Sequence, residues 1–168
     1  MKTVLLAILL CAAASAEVVD KSTSGLLVRN TTIVQANPAK TYQAIVDGIG
    51  EWWVGSHTWS GNSKNLSIVA KAGGCFCEKW PEGEVQHMTV IFASPGKLLR
   101  MSGALGPMQE AGIAGTLTFE LKASGAGTEI VLSYSAGGYF QGGIQNLAAP
   151  VDSVIAAQLD GLKKYLAK

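Results

Sequence analysis

Residues 72–105, AGGCFCEKWPEGEVQHMTVIFASPGKLLRMSGAL, hold three runs in which side-chain character alternates along the chain: CFCEKW, EVQHMTVIFA and KLLRMSGAL. Pro81-Glu82-Gly83 and Ser94-Pro95-Gly96 separate them, and connections this short join antiparallel neighbours. The period-two pattern continues on both sides. LSIVAKA stands before it, closed by Gly73-Gly74. GTLTFELKA and TEIVLSYSA stand after it, set off by the Gly106 to Gly112 segment and by Gly125-Ala126-Gly127. Six consecutive strands predict one antiparallel sheet.

Further out, the pattern changes period. Residues 26–36, LLVRNTTIVQA, are rich in β-branched types and end at Asn37-Pro38, a capping side chain followed by proline in a first helical turn. Tyr42, Ile45, Val46 and Ile49 then recur at helical spacing, and Glu51-Trp52-Trp53 forms a short aromatic second turn. Beyond the glycine-rich break GGYFQGG, Val151, Ile155, Leu159, Leu162 and Leu166 line one face of a helix over 148–166. The fold class is therefore α+β: about seven strands in a curved antiparallel sheet wrapped around a long C-terminal helix, with one or two short helices after the first strand. A sheet that wide twists and curls, and one helix laid across it seldom fills the space beneath. The expected gap is a ligand cavity.

Residues 1–16 stand outside this plan. Lys2, the apolar run Val4 to Ala13 and the small residues Ala14-Ser15-Ala16 have the form of a secretory signal cut after Ala16. Ten apolar residues are too few for a membrane span, which needs about 20. The expectation is a secreted or periplasmic protein whose residues 17–168 form one domain, with no transmembrane segment in the mature chain. Charged residues make up 15% and the formal balance is +1, so nothing draws the chain to nucleic acid. Loss of Cys11 with the signal leaves Cys75 and Cys77, which can pair only with each other or between subunits.

The chain resembles the START-like or SRPBCC superfamily with its helix-grip fold, in the branch similar to activators of the heat-shock-protein-90 ATPase and to polyketide cyclase/dehydrase proteins. The resemblance runs through Asn37-Pro38-Ala39, Glu51-Trp52-Trp53, Gly73 to Glu78, Ser94 to Arg100, Gly127-Thr128-Glu129 and Val151-Asp152 through Leu162. It implies a cavity for lipids, sterols or polyketides, a cyclising enzyme, or a chaperone assistant. The last role belongs to a cytosolic partner and conflicts with an export signal.

Alternation along CFCEKW sends Cys75 and Cys77 to one face and Glu78 to the other. Pairing Trp80 with Val85 would set His87 opposite Glu78, and a slip of one residue would set it opposite Cys77. Cys75, Cys77 and His87 match no common zinc spacing, so no metal and no cofactor are expected. Two unpaired thiols on a strand are the simplest expectation for the cysteines, and a short disulfide is the alternative. Glu78 and His87 are an acid-base pair if both face the cavity, or an ordinary cross-strand ion pair if they face outward. No nucleophile elbow is present.

On a helical wheel Gln158 sits inside the apolar stripe of the last helix, where a buried amide needs a partner in a strand hydroxyl (Ser133 or Tyr134), a water or a ligand. Trp53 and Trp80 read first as core, since aromatic residues bury most of their area, and are also candidate cavity walls. Met108, Tyr139 and Phe140, on glycine-bearing loops, are candidate mouth residues. The function expected is an exported protein binding a small apolar molecule, lipid-like, aromatic or polyketide-like, through Gln158, Trp53, Trp80, Met108, Tyr134, Tyr139 and Phe140. The alternatives are a cyclase or dehydratase using Glu78, His87 or Tyr134 for proton transfer, and an envelope protein-interaction module presenting a sheet edge or the Trp52-Trp53 surface.

Overall fold

The structure, a computed structural model, describes residues 15–168. The expected signal segment lies outside the described residues except for Ser15 and Ala16, which open the first strand. In chain order the strands and α-helices are β1 (Ser15–Lys21), β2 (Gly25–Val34), α1 (Pro38–Asp47), α2 (Ile49–Trp52), β3 (Leu66–Ile68), β4 (Cys75–Trp80), β5 (Gly83–Ser94), β6 (Leu98–Ser102), β7 (Ile113–Ser124), β8 (Gly127–Gly138) and α3 (Ala148–Leu166). All eight strands form one antiparallel sheet, in the order β1-β2-β8-β7-β6-β5-β4-β3. The sheet has one strand more than the seven expected. The extra one is β1, whose Val18 and Val19 are too short an apolar run to stand out but which folds back on β2 through the polar turn Ser22-Thr23-Ser24.

Alternation sets the buried face. Leu26, Val28, Phe76, Met101, Leu117, Phe119, Ile130 and Leu132 are buried, and Ile155, Leu159 and Leu162 of α3 cover them. The first helix starts as its sequence predicts: Pro38 occupies its first turn and the Asn37 side chain accepts the Lys40 N–H at 3.0 Å. Trp52 and Trp53 are both buried. Trp52 donates its indole N–H to the Ala44 carbonyl at 3.0 Å and meets Phe119 edge-on. Helix α3 crosses this point so closely that a Cβ at Gly161 would run into the Trp52 carbonyl.

Two irregularities bend β5. Phe76 pairs with Met88 and Cys77 with Gln86, so His87 is an extra residue with no partner on β4. A second shift leaves Ile91 unpaired opposite β6. Bulges of this kind re-aim side chains. At the first, His87 and Met88 are consecutive and both buried, and at the second, Ile91 and Phe92 are consecutive and both exposed. The simple hairpin register with Trp80 opposite Val85 does not occur, because Trp80 pairs with Gly83 across a tighter turn.

Candidate functional site

Between α3 and the sheet lies a cavity of about 440 Å³. The loop after α2 supplies Trp53, Ser56, His57, Thr58 and Trp59. The β6–β7 connection supplies Leu105 to Met108, and the sheet His87 and Tyr134. Phe140 and Leu147 lie on the approach to α3, and Pro150, Val151, Val154 and Ile155 on α3 itself. The wall is therefore mostly hydrocarbon and aromatic. Helix spacing explains the α3 share, since residues 150, 151, 154 and 155 fall on one stripe. No helix among the described residues is long and apolar enough to cross a membrane.

Glu78 and His87 come together, and inside. Glu78 is 0% exposed and His87 6%, and His87 Nε2 lies 3.1 Å from Glu78 Oε2. Glu78 also accepts the N–H groups of Ser60 at 2.6 Å and Trp59 at 3.0 Å, so the carboxylate ties the cavity loop to β4. An outward-facing ion pair is thereby ruled out. Burial pushes the Glu78 carboxyl up, but hydrogen bonds from the Ser60 side chain and backbone, Trp59 and His87 together hold it below its ordinary 4.5. Burial lowers His87 from 6.5, against the opposing pull of Glu78. The pair is a carboxylate and a neutral imidazole that donates from Nε2. The His87 ring is also held by Phe76, with centroids 5.0 Å apart.

The other expected site residues divide. Trp53, Met108, Tyr134 and Phe140 line the cavity. Trp53 is also fixed from both sides, donating to the His57 carbonyl at 3.1 Å and packing edge-on to Phe76. Tyr134 offers only its ring: its hydroxyl accepts the Leu105 N–H at 3.2 Å and donates to the Gly103 carbonyl at 3.4 Å. Burial pushes that hydroxyl up to about 12, with the Leu105 N–H opposing, so it stays protonated near neutrality. Trp80 lies away from the cavity over Gly83 at the hairpin end, and Tyr139 is 78% exposed to solvent.

Gln158 is buried as its wheel position predicts, but its partners are not those expected. Its Oε1 accepts the Val54 N–H at 2.8 Å and its Nε2 lies 2.7 Å from His57 Nδ1, with no bond to Ser133 or Tyr134. It props the cavity loop rather than facing a ligand. Cys75 and Cys77 are joined as a disulfide on the opposite face of β4, so the expectation of two unpaired thiols is overturned. Their outward direction, and the inward direction of Glu78, follow the predicted alternation.

His57 lines the cavity and was not among the candidate site residues. Its signal was available: the chain has two histidines, and this one sits between Trp53 and Trp59 in a loop otherwise polar.

No protein-family model matches the chain, and no curated protein matches it by sequence. Solved structures do. CalU16 from Micromonospora echinospora is similar with a TM-score of 0.62 at 13% identity, over 92% of this chain and 87% of that one. The Aha1 dimer from Colwellia psychrerythraea is similar at 0.61 and 20% identity, over 83% and 95% of the respective chains. DynU16, a protein from the dynemicin biosynthetic locus, is similar at 0.61 and 15% identity, over 84% of this chain and 47% of its own. At such identities the likeness is one of architecture, and the chain has the helix-grip fold.

Proposed function

We propose that this is an exported binding protein that holds a small, largely apolar molecule between α3 and the sheet. The observation that supports it best is the cavity of about 440 Å³, within the usual range for small-molecule sites and walled mainly by hydrocarbon and aromatic groups. Native mass spectrometry of the protein purified gently from its own cell envelope tests it. A retained small molecule is the expected result. An empty protein across all gentle conditions, together with no uptake of apolar probes, would overturn the proposal.

A second function is favoured by one specific feature, the Glu78–His87 pair. A base on the cavity wall, oriented by a buried carboxylate, is the arrangement general base catalysis requires. The reaction class would be proton transfer on the bound molecule, as in a cyclase or dehydratase. His87→Gln separates the two: a carrier keeps its ligand unchanged in the wild type, whereas an enzyme releases a product that the variant does not form. A protein-interaction role through Trp52 and Trp53 has no support, because both side chains are buried.

A further inference from the structure

We propose that the cavity recognises its ligand through hydrogen bonds of fixed polarity: His87 Nδ1 accepts and His57 Nε2–H donates. The ligand class is then an apolar molecule carrying a hydroxyl and a carbonyl or ether oxygen. This rests on the binding function proposed above and narrows it.

The chain's two histidines both line the cavity. Each is anchored through one ring nitrogen to a buried group, and backbone amides set the polarity of that group. A backbone N–H can only donate. At Gln158 the Val54 N–H, 2.8 Å from Oε1, requires the amide oxygen on that side. The amide NH₂ must then face His57 Nδ1 at 2.7 Å, so Nδ1 accepts and the neutral ring carries its proton on Nε2. At Glu78 the N–H groups of Ser60 and Trp59 both need an acceptor, and the carboxylate supplies one to each. His87 Nε2, 3.1 Å from the same carboxylate, brings the proton, and Nδ1 keeps the lone pair.

The two rings are therefore opposite in character on the edges turned away from their anchors. Both anchors are 0% exposed, so water does not reach them to reverse the assignment. The nearby Thr58 hydroxyl donates to the Gly55 carbonyl at 2.7 Å, so toward a ligand it can only accept, as His87 Nδ1 does. A ligand of pure hydrocarbon would cover the buried His87 and leave its Nδ1 unpaired, whereas the exposed His57 forgoes a bond it could make to the ligand. A hydroxyl meets the need of His87 and a carbonyl that of His57, each worth about tenfold in affinity.

The test uses the full chain and three probes: naphthalene, 2-naphthol and 2-acetylnaphthalene. Isothermal titration calorimetry is expected to show the naphthol and the ketone each binding about tenfold tighter than naphthalene. His87→Phe should erase the advantage of the naphthol alone, and His57→Phe that of the ketone alone. Long-range proton–nitrogen NMR on the unaltered protein at neutral pH should show both rings protonated on Nε2, a result that needs no variant to fold. Either ring protonated on Nδ1, or three equal affinities, would overturn the hydrogen-bond pair while leaving the cavity function standing. Failure of naphthalene and both other probes to bind would sink the cavity function, and the pair with it.

Discussion

Glu78 is the residue on which the site's geometry converges, because three groups bond to its carboxylate: two backbone amides and one imidazole. Glu78→Gln keeps the shape but turns one acceptor into a donor, leaving a buried N–H without a partner. The expected cost is about 1–3 kcal/mol in urea unfolding. The same pair sets the acid response. His87 has a folded value below its ordinary 6.5, so as pH falls below 6.5 the unfolded chain takes up the proton first and stability drops. Glu78 has a folded value below 4.5, so its contribution persists above 4.5 and is lost as pH falls through that lower folded value. Unfolding midpoints measured from about pH 8 to about pH 4 should decline on the acid side, and a flat profile would contradict the direction given for His87. Both residues could be named from sequence, but their meeting could not. It depends on the β4–β5 register, which sets Val85 opposite Glu78, and nothing in Glu-Val-Gln-His-Met marks that register or where the ladder will skip.

Among the elements, α3 was the most legible and its polar member the least. Val151, Ile155, Leu159 and Leu162 announce a buried stripe, and the same wheel places Gln158 inside it. Its partner lies on a loop about a hundred residues earlier, which no local pattern encodes. Gly161 belongs to the same helix. Alanine at an ordinary helical position gains up to about 1 kcal/mol, but here the methyl meets the Trp52 carbonyl. Gly161→Ala is therefore expected to lose about 1–2 kcal/mol net in chemical denaturation. Strand β4 offers the contrasting case. The Cys75–Cys77 bridge closes a loop of only three residues, and so small a loop constrains the unfolded chain little. Reduction should lower stability by less than about 2 kcal/mol and raise the intact mass by two hydrogens. A larger loss would mean that the bridge supports the packing around it.

At the scale of the whole molecule, alternation and turn chemistry carry the sheet, which is why the architecture recurs in proteins sharing 13–20% of their residues with this one. The cavity was expected from the breadth of the sheet and the single long helix. Its lining was only half legible, because loops supply the aromatic wall and loops carry no period. Filling that space gives a global test. Val154 lies on the wall, partly buried, and Val154→Phe should weaken apolar ligands at least tenfold while leaving thermal stability equal or higher. A loss of fold instead would show that the interior has no room to spare. The irregularity at position 87 carries the matter further. Phe76 already faces Met88 and Cys77 already faces Gln86, so excising this one residue would disturb neither match. The shortened chain should close into the same shell, with the base gone from its wall and the donor at His57 left in place.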